Sequence, residues 1–322
     1  MMRAVRSSSS VVRILPLVLA SVILPSDQAA AGEIKGYREP DPKVIAKAES
    51  IVATLKPFPS KKKRKVLIYA ISFGPHRHSI PTARKVLALL GEKTGAYEPV
   101  VSEDLAHFEP DKLKHFAAVI FANTTGDVFC RPADNAQFKA LGADERQKQY
   151  EIAKRLVKNL DDYMRAGGGF MGIHAATDTL KKNPAYTNMI GGVFAGHPWG
   201  PKETVTIKVE DPEHALIKGV WEEREFKFND EIYQFREPYD RKRLRVLLSL
   251  NLEKSDKPKK PLQRKDGDYP VAWTRSHGKG RVFYCSLGHS HLTYANPAIL
   301  KFWLRGIQFI TGDIEANTEP SE

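Results

Sequence analysis

The sequence predicts an α/β protein in which helices cover both faces of a mostly parallel sheet. Short, uninterrupted apolar runs alternate with segments whose apolar residues recur at helical spacing, and glycines follow several of those segments. Uninterrupted runs are typical of strands buried on both faces, and their alternation with helices indicates a parallel sheet. A chain of 322 residues with 42% hydrophobic and 27% charged residues fits one such domain and excludes a disordered or fibrous chain.

Residues 1–31 have the layout of a cleaved secretory signal. Arg3, Arg6 and Arg13 precede an apolar stretch at residues 14–24, and three alanines end at Ala31. The stretch has about 11 residues, fewer than the roughly 20 that cross a bilayer as a helix. The sequence therefore predicts a periplasmic or secreted protein, cleaved near Ala31, with no stable membrane insertion after cleavage.

The rest of the chain divides into an extension, one domain and a tail. Residues 32–60 contain four prolines around an amphipathic stretch and are predicted to form an N-terminal extension. Residues 61–312 are predicted to form one domain, because no repeat of solenoid or propeller length divides them. Residues 313–322 are predicted to form a tail.

The first half of the domain predicts alternating strands and helices. Strands are expected at residues 66–71, 97–101, 117–122 and 169–174, and helices at residues 81–90 and 145–165. Gly91 and Gly167 are predicted to end the two helices, because glycine readily adopts the left-handed backbone that follows a helix. Ligands of such folds bind beyond the carboxyl ends of the strands, which is where functional residues are expected.

The second half is predicted to extend the sheet with antiparallel or edge strands. Strands are expected at residues 204–209, 225–235, 244–250, 271–275 and 281–286, several of them with polar alternation. A closing helix is expected from Pro297 to Gly312, with proline in its first turn and glycine after its last.

Charge and cysteine content exclude some functions. The net charge is +12, but its basic runs, at residues 61–65 and 254–265, are not interleaved with aromatic residues. We therefore expect solvated loops and no nucleic-acid partner. Cys130 and Cys285 have no metal-finger or redox spacing and are predicted to be structural thiols, with their pairing left open.

Histidines mark the expected ligand-binding edge. Six of them fall near predicted strand ends or in a glycine-containing loop, namely His76, His78, His174, His197, His289 and His291. Imidazoles that converge at one sheet edge suit a borderline metal or acid–base chemistry. An acidic pair, Asp230 and Glu231, lies inside the strand-like segment 225–235. Since side chains of a strand alternate in direction, only one of the two, which we take to be Glu231, is expected to face the site.

Several enzyme classes are disfavoured. The sequence has no GxSxG motif, no Walker loop and no GxGxxG after the first strand. His174 occupies the strand-to-helix position where amidotransferases and α/β hydrolases carry a cysteine or serine nucleophile. Esterase, NTPase, dinucleotide-dependent and amidotransferase activities are therefore not expected.

A set of motifs in a fixed order is shared with a known family. The motifs are RHSI at residues 77–80, GGGFMGIHAATD at 167–178, IGGVF at 190–194 with His197-Pro198, DEIY at 230–233, PVAW at 270–273, and GKGRVFY at 278–284 followed by Gly288-His289. With these motifs, residues 65–312 resemble the ThuA-like family of trehalose utilisation. The resemblance implies a flavodoxin-like three-layer sandwich, similar to class I glutamine amidotransferases but without their cysteine.

The resemblance also implies a metal site and a role in sugar catabolism. The matching ligand positions are His78, His174, Glu231 and His289, with His76 and His291 as neighbours that could substitute. The expected cofactor is a divalent metal, zinc or another transition metal. Catalytic roles are expected for His174, Glu231 and Asp230, and substrate contacts for His197, Asp178, Trp199 and Tyr233.

Two functions stay open from the sequence. The first is a metal-dependent enzyme that acts on an oxidised (keto) sugar or glycoside by isomerisation, elimination or hydrolysis. The second is a non-catalytic carbohydrate-binding or scaffolding protein in which the same histidines organise the loops. In both functions the partner is a small carbohydrate. A homo-oligomer is possible with either function.

Overall fold

The computed structural model describes residues 37, 39–60, 62–72, 75–130 and 135–320, so the predicted signal at residues 1–31 lies outside the described residues. The α-helices are α1 (Pro42–Val52), α2 (Ile80–Thr94), α3 (Pro110–Leu113), α4 (Asn135–Ala140), α5 (Ala143–Arg165), α6 (Pro184–Ile190) and α7 (Pro297–Ile310). The strands are β1 (Lys65–Tyr69), β2 (Glu98–Val101), β3 (Ala118–Ala122), β4 (Gly169–Ile173), β5 (Val193–Phe194), β6 (Val205–Val209), β7 (Glu225–Phe228), β8 (Phe235–Arg236), β9 (Arg245–Asn251), β10 (Pro270–His277) and β11 (Gly280–Cys285). Within the described ranges, no helix combines the length and hydropathy needed to cross a bilayer.

One nine-stranded sheet organises the protein, in the order β2-β1-β3-β4-β11-β10-β9-β6-β7. The first five strands run parallel, and the other four are antiparallel to their neighbours. The parallel half has the strand order of flavodoxin-like folds, in which ligands bind where the order reverses, here between β1 and β3. The predicted α/β fold is confirmed, and the antiparallel extension is found where the polar alternation indicated it.

Helices cover both faces of the parallel half, as the uninterrupted apolar runs predict. In β1, Val66 and Ile68 pack into a core with residues of α1, α2 and α7. Leu67 and Tyr69 point the other way, into a second core with residues of α5 and α6. Because side chains alternate along a strand, a strand between two helical layers must be apolar at every position.

The helix α2 continues past the predicted stop at Gly91. It ends at Thr94, and Gly95, with φ 69°, provides the left-handed residue after it. A Cβ atom on residue 91 would lie 2.7 Å from the carbonyl oxygen of Tyr97. Gly91 is therefore needed for close packing inside the helix rather than for ending it.

The predicted strand at residues 225–235 is two separate strands. The strand β7 pairs with β6, whereas residues 232–236 pair with residues 193–199 away from the main sheet. Between them, the side chain of Asp230 accepts a hydrogen bond from the backbone of Glu231 (2.9 Å), and Asn229 binds the side chain of Thr204 (3.0 Å). The first of these bonds is local and the second reaches 25 residues back along the chain, and both replace ladder pairing where the strand breaks.

Segments on both sides of the predicted domain pack against its core. Val44, Ala48 and Val52 of α1 are buried, and Asp41 caps the start of this helix. At the other end, Ile314 is 5% exposed, and the carbonyl of Asn317 lies 2.9 Å from Nε2 of His214. The described residues form one compact unit.

The two cysteines lie in the core. Cys130 and Cys285 are both buried, and no disulfide joins them. Burial raises the pKa of the Cys285 thiol to about 12, so this side chain is a protonated, apolar core residue at neutral pH.

Gly169 begins β4 where strand and helix backbones meet, and this contact gives a stability prediction. A Cβ atom there would overlap the carbonyl oxygen of Ile310 and lie 3.0 Å from the side chain of Ala118. Since the backbone cannot move aside cheaply, we expect Gly169→Ala to lower the free energy of unfolding by about 2 to 3 kcal/mol. Chemical denaturation measures this change.

The matched control is Gly142→Ala, because a Cβ atom on residue 142 has nothing within 4 Å. It is expected to cost less than about 1 kcal/mol, the scale of a lost helix-cap preference. Equal stability losses in the two variants would contradict the close packing of β4 on α7.

Candidate metal centre

Loops after three strands of the parallel half meet at one edge of the sheet. His76 follows β1, His174 directly follows β4, and His289 follows β11. Glu231 reaches the same place from the segment that joins β7 to β8. Parallel strands present their carboxyl ends on one side, so residues far apart in sequence come together there.

These four side chains form one compact group. Oε2 of Glu231 lies 3.3 Å from Nε2 of His174, 3.3 Å from Nδ1 of His289 and 3.8 Å from Nε2 of His76. The four ligand atoms all lie within 4.8 Å of one another. In a tetrahedral site with bonds of about 2.0–2.1 Å, neighbouring ligand atoms are about 3.4 Å apart. Three nitrogens and one carboxylate oxygen at these separations can hold a metal ion.

The group differs at one position from the ligand set that the family motifs indicate. His78 is exposed, and its Nε2 lies 3.2 Å from the carbonyl oxygen of His289, so it lies beside the group and not in it. His76 is 7% exposed and faces Glu231. His76 has a φ of 67°, a left-handed turn that the residue spacing gives no means of foreseeing. The other neighbour, His291, begins a short 3-10 helix outside the group.

The outward-facing ring nitrogens support metal binding. Nδ1 of His174 lies 2.7 Å from the carbonyl oxygen of Ser286, which can only accept, so Nδ1 carries the proton and the lone pair on Nε2 faces the group. Nδ1 of His76 lies 3.1 Å from the hydroxyl of Thr125. A hydrogen bond on the far nitrogen is what orients metal-binding histidines. Nε2 of His174 and Nδ1 of His289 are buried and lack a hydrogen-bond partner, as atoms placed for a metal would be.

Burial and charge shift the pKa values within the group. Burial lowers the pKa of His174 to about 3, so this imidazole is neutral and able to ligate at neutral pH. Burial by itself would raise the pKa of Glu231, but the imidazoles of His174, His289 and His76 around its carboxylate outweigh it and hold the pKa well below its usual value. Burial also opposes the charged form of His289, yet the Glu231 carboxylate raises its pKa.

Backbone strain is concentrated at the same edge. In the described ranges, the residues other than glycine with positive φ are His76, Asn123, His174 and Leu180. The first three follow β1, β3 and β4 at their carboxyl ends. The amide of Asn123 donates to Ser79, Tyr294 and the carbonyl of Gly288, which ties together the loops that carry the histidines. Residues that surrounding contacts hold in a strained backbone conformation cluster at functional sites.

Asp230 has a different place from the one expected for it. It is fully buried, whereas the predicted strand would have left it solvated or salt-bridged. Its carboxylate accepts hydrogen bonds from the backbone of Gly288 (2.7 Å) and Ser290 (2.9 Å) and from the hydroxyl of Thr293 (2.9 Å). Burial raises its pKa, although these bonds act in the opposite direction. Asp230 therefore holds the loop that carries His289 and is outside the metal-binding group.

This arrangement predicts that Asp230→Ala destabilises the protein by about 3 kcal/mol, because three donors of the loop at residues 288–293 lose their acceptor. Urea unfolding measures the loss. Thr293→Val removes one of the donors and should cost about 1 kcal/mol. A loss below about 1 kcal/mol for Asp230→Ala would show that the loop is held by other contacts.

Comparison with known proteins identifies the family. The model of the ThuA family, described as trehalose utilisation, matches residues 145–310, just over half of the chain. The chain belongs to the ThuA family. The match runs from α5 to α7 and includes His174, Glu231 and His289, but it does not reach His76, whose place in the group comes from the tertiary structure.

Solved structures of ThuA-like proteins share this fold. One from Bacteroides uniformis ATCC 8492 is 24% identical, with a TM-score of 0.56, over 78% of this chain and 93% of that one. Another from Parabacteroides merdae ATCC 43184 is 18% identical, with a TM-score of 0.50, over 78% of this chain and 90% of that one. No curated protein sequence matches the chain. At these identities the likeness establishes the flavodoxin-like fold of this chain and nothing about its chemistry.

Four residues are expected to contact the substrate, and two of them touch the metal-binding group. His197 and Tyr233 contact it: Nδ1 of His197 lies 2.7 Å from Oε1 of Glu231, and the Tyr233 hydroxyl lies 3.3 Å from Nε2 of His76. Asp178 forms a salt bridge with Lys181 (2.5 Å) at the end of the 3-10 helix that begins at His174.

Trp199, in contrast, cannot stack on a sugar. It is 1% exposed, its indole N–H donates to the carbonyl of Asp256 (2.7 Å), and its ring packs edge-on against Tyr269. It anchors a loop in the core.

Proposed function

We propose that this ThuA-family protein is a metal-dependent enzyme that acts on an oxidised (keto) sugar or glycoside. The observation that carries the proposal is the group of three imidazoles and one carboxylate at the carboxyl edge of the sheet. The description of the family as trehalose utilisation supports a saccharide as substrate. Isomerisation, elimination and hydrolysis of a keto-sugar all need a polarised oxygen and a nearby group that moves a proton.

The ligands in this proposal are His76, His174, Glu231 and His289. Nitrogen and carboxylate donors without thiolates suit zinc or another transition metal better than magnesium or calcium, which prefer all-oxygen sites. Such a metal supplies a Lewis acid that polarises a carbonyl or hydroxyl of the substrate. The protein's part is to hold the four donors in place, which the buried partners of His174 and His76 do.

His78 is the residue that we propose for proton transfer. Its Nε2 lies against the carbonyl oxygen of His289, so Nε2 carries the proton and Nδ1 keeps a lone pair. Partial desolvation of the ring, together with the nearby His289, lowers the pKa of His78, so this imidazole is neutral at neutral pH and can accept a proton. His78 is exposed to solvent beside the group. Asp178 is proposed to contact a substrate hydroxyl at the same edge.

Metal content tests the ligand set. Protein without a polyhistidine tag, loaded with zinc and freed of excess ion, is expected to hold about one zinc per chain by elemental analysis. His76→Ala, His174→Ala and Glu231→Ala should each lose most of it, because a three-ligand remnant binds far more weakly.

The control is His78→Ala, two residues from His76, which should keep its zinc. Loss of zinc in His78→Ala and retention in His76→Ala would show that His78 is the ligand, as the motifs indicate, and that His76 is not. A parent protein that binds no divalent ion would refute the metal centre.

Turnover separates an enzyme from a binding protein. With a 3-keto-glycoside as probe and zinc present, the parent protein is expected to consume the sugar, followed by chromatography. His78→Ala, with its zinc retained, should slow consumption by about 10² to 10⁴-fold, the usual contribution of a general base. Binding of the probe without consumption would favour the non-catalytic carbohydrate-binding function.

We also propose that the protein is exported and then cleaved near Ala31. The support is the apolar stretch of residues 14–24, which follows three arginines and is followed by small residues. Expression of the full chain in a Gram-negative host should give periplasmic protein whose N-terminus, by protein sequencing, is close to Gly32. Recovery of uncleaved protein in the cytoplasm would contradict export.

A further inference from the structure

A half-buried aromatic ring lies directly beside the metal-binding group. The centre of the Phe194 ring is 4.4 Å from that of Tyr233 and 6.2 Å from that of His197. Both neighbours contact the group, because the Tyr233 hydroxyl lies 3.3 Å from His76 and the His197 ring lies 2.7 Å from Glu231. Phe194 is therefore one side chain away from the proposed ligands, and part of its surface stays accessible.

A carboxylate and an ammonium group lie next to this ring. Nζ of Lys181 is 2.5 Å from Oδ1 of Asp178 and 5.6 Å from the centre of the Phe194 ring. The exposed fraction of the side chain is 39% for Lys181 and 15% for Asp178. Asp178 is the last residue of the 3-10 helix that begins at His174. A hydrogen-bond donor and an acceptor thus lie together beside an aromatic ring and a proposed metal ligand.

The backbone that carries this ion pair is strained and firmly held. Leu180 has a φ of 47°, a left-handed conformation that residues other than glycine rarely adopt. The backbone N–H of Leu180 donates to the carbonyl of Gly126 (3.0 Å), and the carbonyl of Asp178 accepts from the N–H of Gly126 (3.1 Å). These bonds fix the turn between Asp178 and Lys181. Strain that neighbouring contacts maintain in this way is typical of ligand-binding segments.

The three side chains match the two kinds of surface on a sugar ring. The face of a pyranose carries C–H groups that pack on an aromatic ring, and its rim carries hydroxyls that donate and accept hydrogen bonds. Phe194 offers the apolar surface, Asp178 an acceptor and Lys181 a donor. The contact between Lys181 and Phe194 is close to the outer limit of about 6 Å for a cation–π interaction, so the ammonium can turn to a hydroxyl at little cost.

We propose that Phe194, Asp178 and Lys181 form the subsite that binds a pyranose ring of the substrate. The face of the ring packs on Phe194, and two neighbouring hydroxyls bind the Asp178–Lys181 pair. This inference rests on the proposed function and adds Phe194 and Lys181 to it as binding residues. It assigns to Phe194 the stacking role that the buried Trp199 cannot have.

A purely structural patch would contain the same contacts. An exposed ion pair contributes little to stability, and a half-buried ring contributes through its packing. The two roles differ in what substitution changes. Substitution in a structural patch alters stability and leaves sugar affinity as it was, whereas substitution in a binding subsite weakens sugar affinity in a protein that keeps its fold and its zinc.

The first measurement is sugar binding by zinc-free protein, with a 3-keto-glycoside as probe and titration calorimetry as readout. Phe194→Leu keeps an apolar side chain without the flat ring and should bind about 2- to 10-fold more weakly, the scale of an aromatic contact. Lys181→Met loses a donor and should weaken binding by about 2- to 10-fold, the scale of one hydrogen bond. Phe194→Tyr keeps the ring and should bind within about twofold of the parent.

The matched controls are Lys182→Met and Phe226→Leu. Lys182 follows Lys181 in the chain but lines a groove along α5, and Phe226 is a half-buried ring of β7 that stacks on Trp221. Both variants should keep the parental affinity for the sugar. Zinc content and urea unfolding are measured for every variant, and the subsite variants should hold as much zinc as the parent because neither residue is a ligand.

The second measurement is the kinetics of zinc-loaded protein with the same probe. Phe194→Leu and Lys181→Met should raise KM by the same factors and change kcat little, because a group that binds the ring does so in the ground state and the transition state alike. Loss of the proton-transfer residue in His78→Ala should have the opposite effect, a lower kcat with little change in KM.

The outcomes are separable from those of the proposed function. Parental sugar affinity in either Phe194→Leu or Lys181→Met, or an equal loss in Lys182→Met, would overturn the subsite and leave the metal-dependent enzyme intact. Weaker binding in both subsite variants of a protein that holds zinc but does not consume the probe would support the subsite and contradict the enzyme. A parent protein that does not bind the probe would overturn the subsite together with the keto-sugar substrate, whereas zinc content decides the metal centre by itself.

Discussion

Glu231 places a carboxylate inside the protein, with 11% of its side chain exposed, and four imidazoles surround it. A buried charge without partners costs several kcal/mol, so the Glu231 carboxylate needs the surrounding imidazoles to stabilise it. The adjacent carboxylate of Asp230 meets its own burial differently, by accepting three hydrogen bonds from the loop that carries His289. Two consecutive acidic residues thus serve separate purposes: one faces the group and the other fixes part of its frame.

The sheet makes this convergence possible. Its parallel half brings the ends of β1, β4 and β11 to one edge, and the segment between β7 and β8 brings Glu231 to the same place. The strained conformations of His76 and His174 are confined to this edge, where hydrogen bonds from neighbouring loops hold them. Regular strands supply a rigid base, and the loops supply chemistry at the cost of local strain.

Much of the fold could be predicted from the sequence, and the errors have local causes. The buried strands and long helices could be predicted from apolar periodicity, because the pattern repeats along the whole length of each element. Glycine favours the position after a helix, but close packing against Tyr97 requires Gly91 inside one, so the predicted end of α2 is wrong. The strand predicted at residues 225–235 is interrupted where Asn229 and Asp230 use their side chains for other bonds, and the bonds of Asp230 to the loop at residues 288–290 are ones that no local pattern reveals.

The sequence alone determined the fold class, the edge of the sheet at which chemistry is expected and the residue types gathered there, since these depend on periodicity and on motifs. Only the tertiary structure decided that His76 rather than His78 faces Glu231 and that Trp199 is a core anchor. From the sequence spacing alone, two histidines that lie two positions apart in a loop are equally good candidates for the ligand. Which of them points inward is set by backbone dihedral angles and distant partners, and those exist only once the chain has folded.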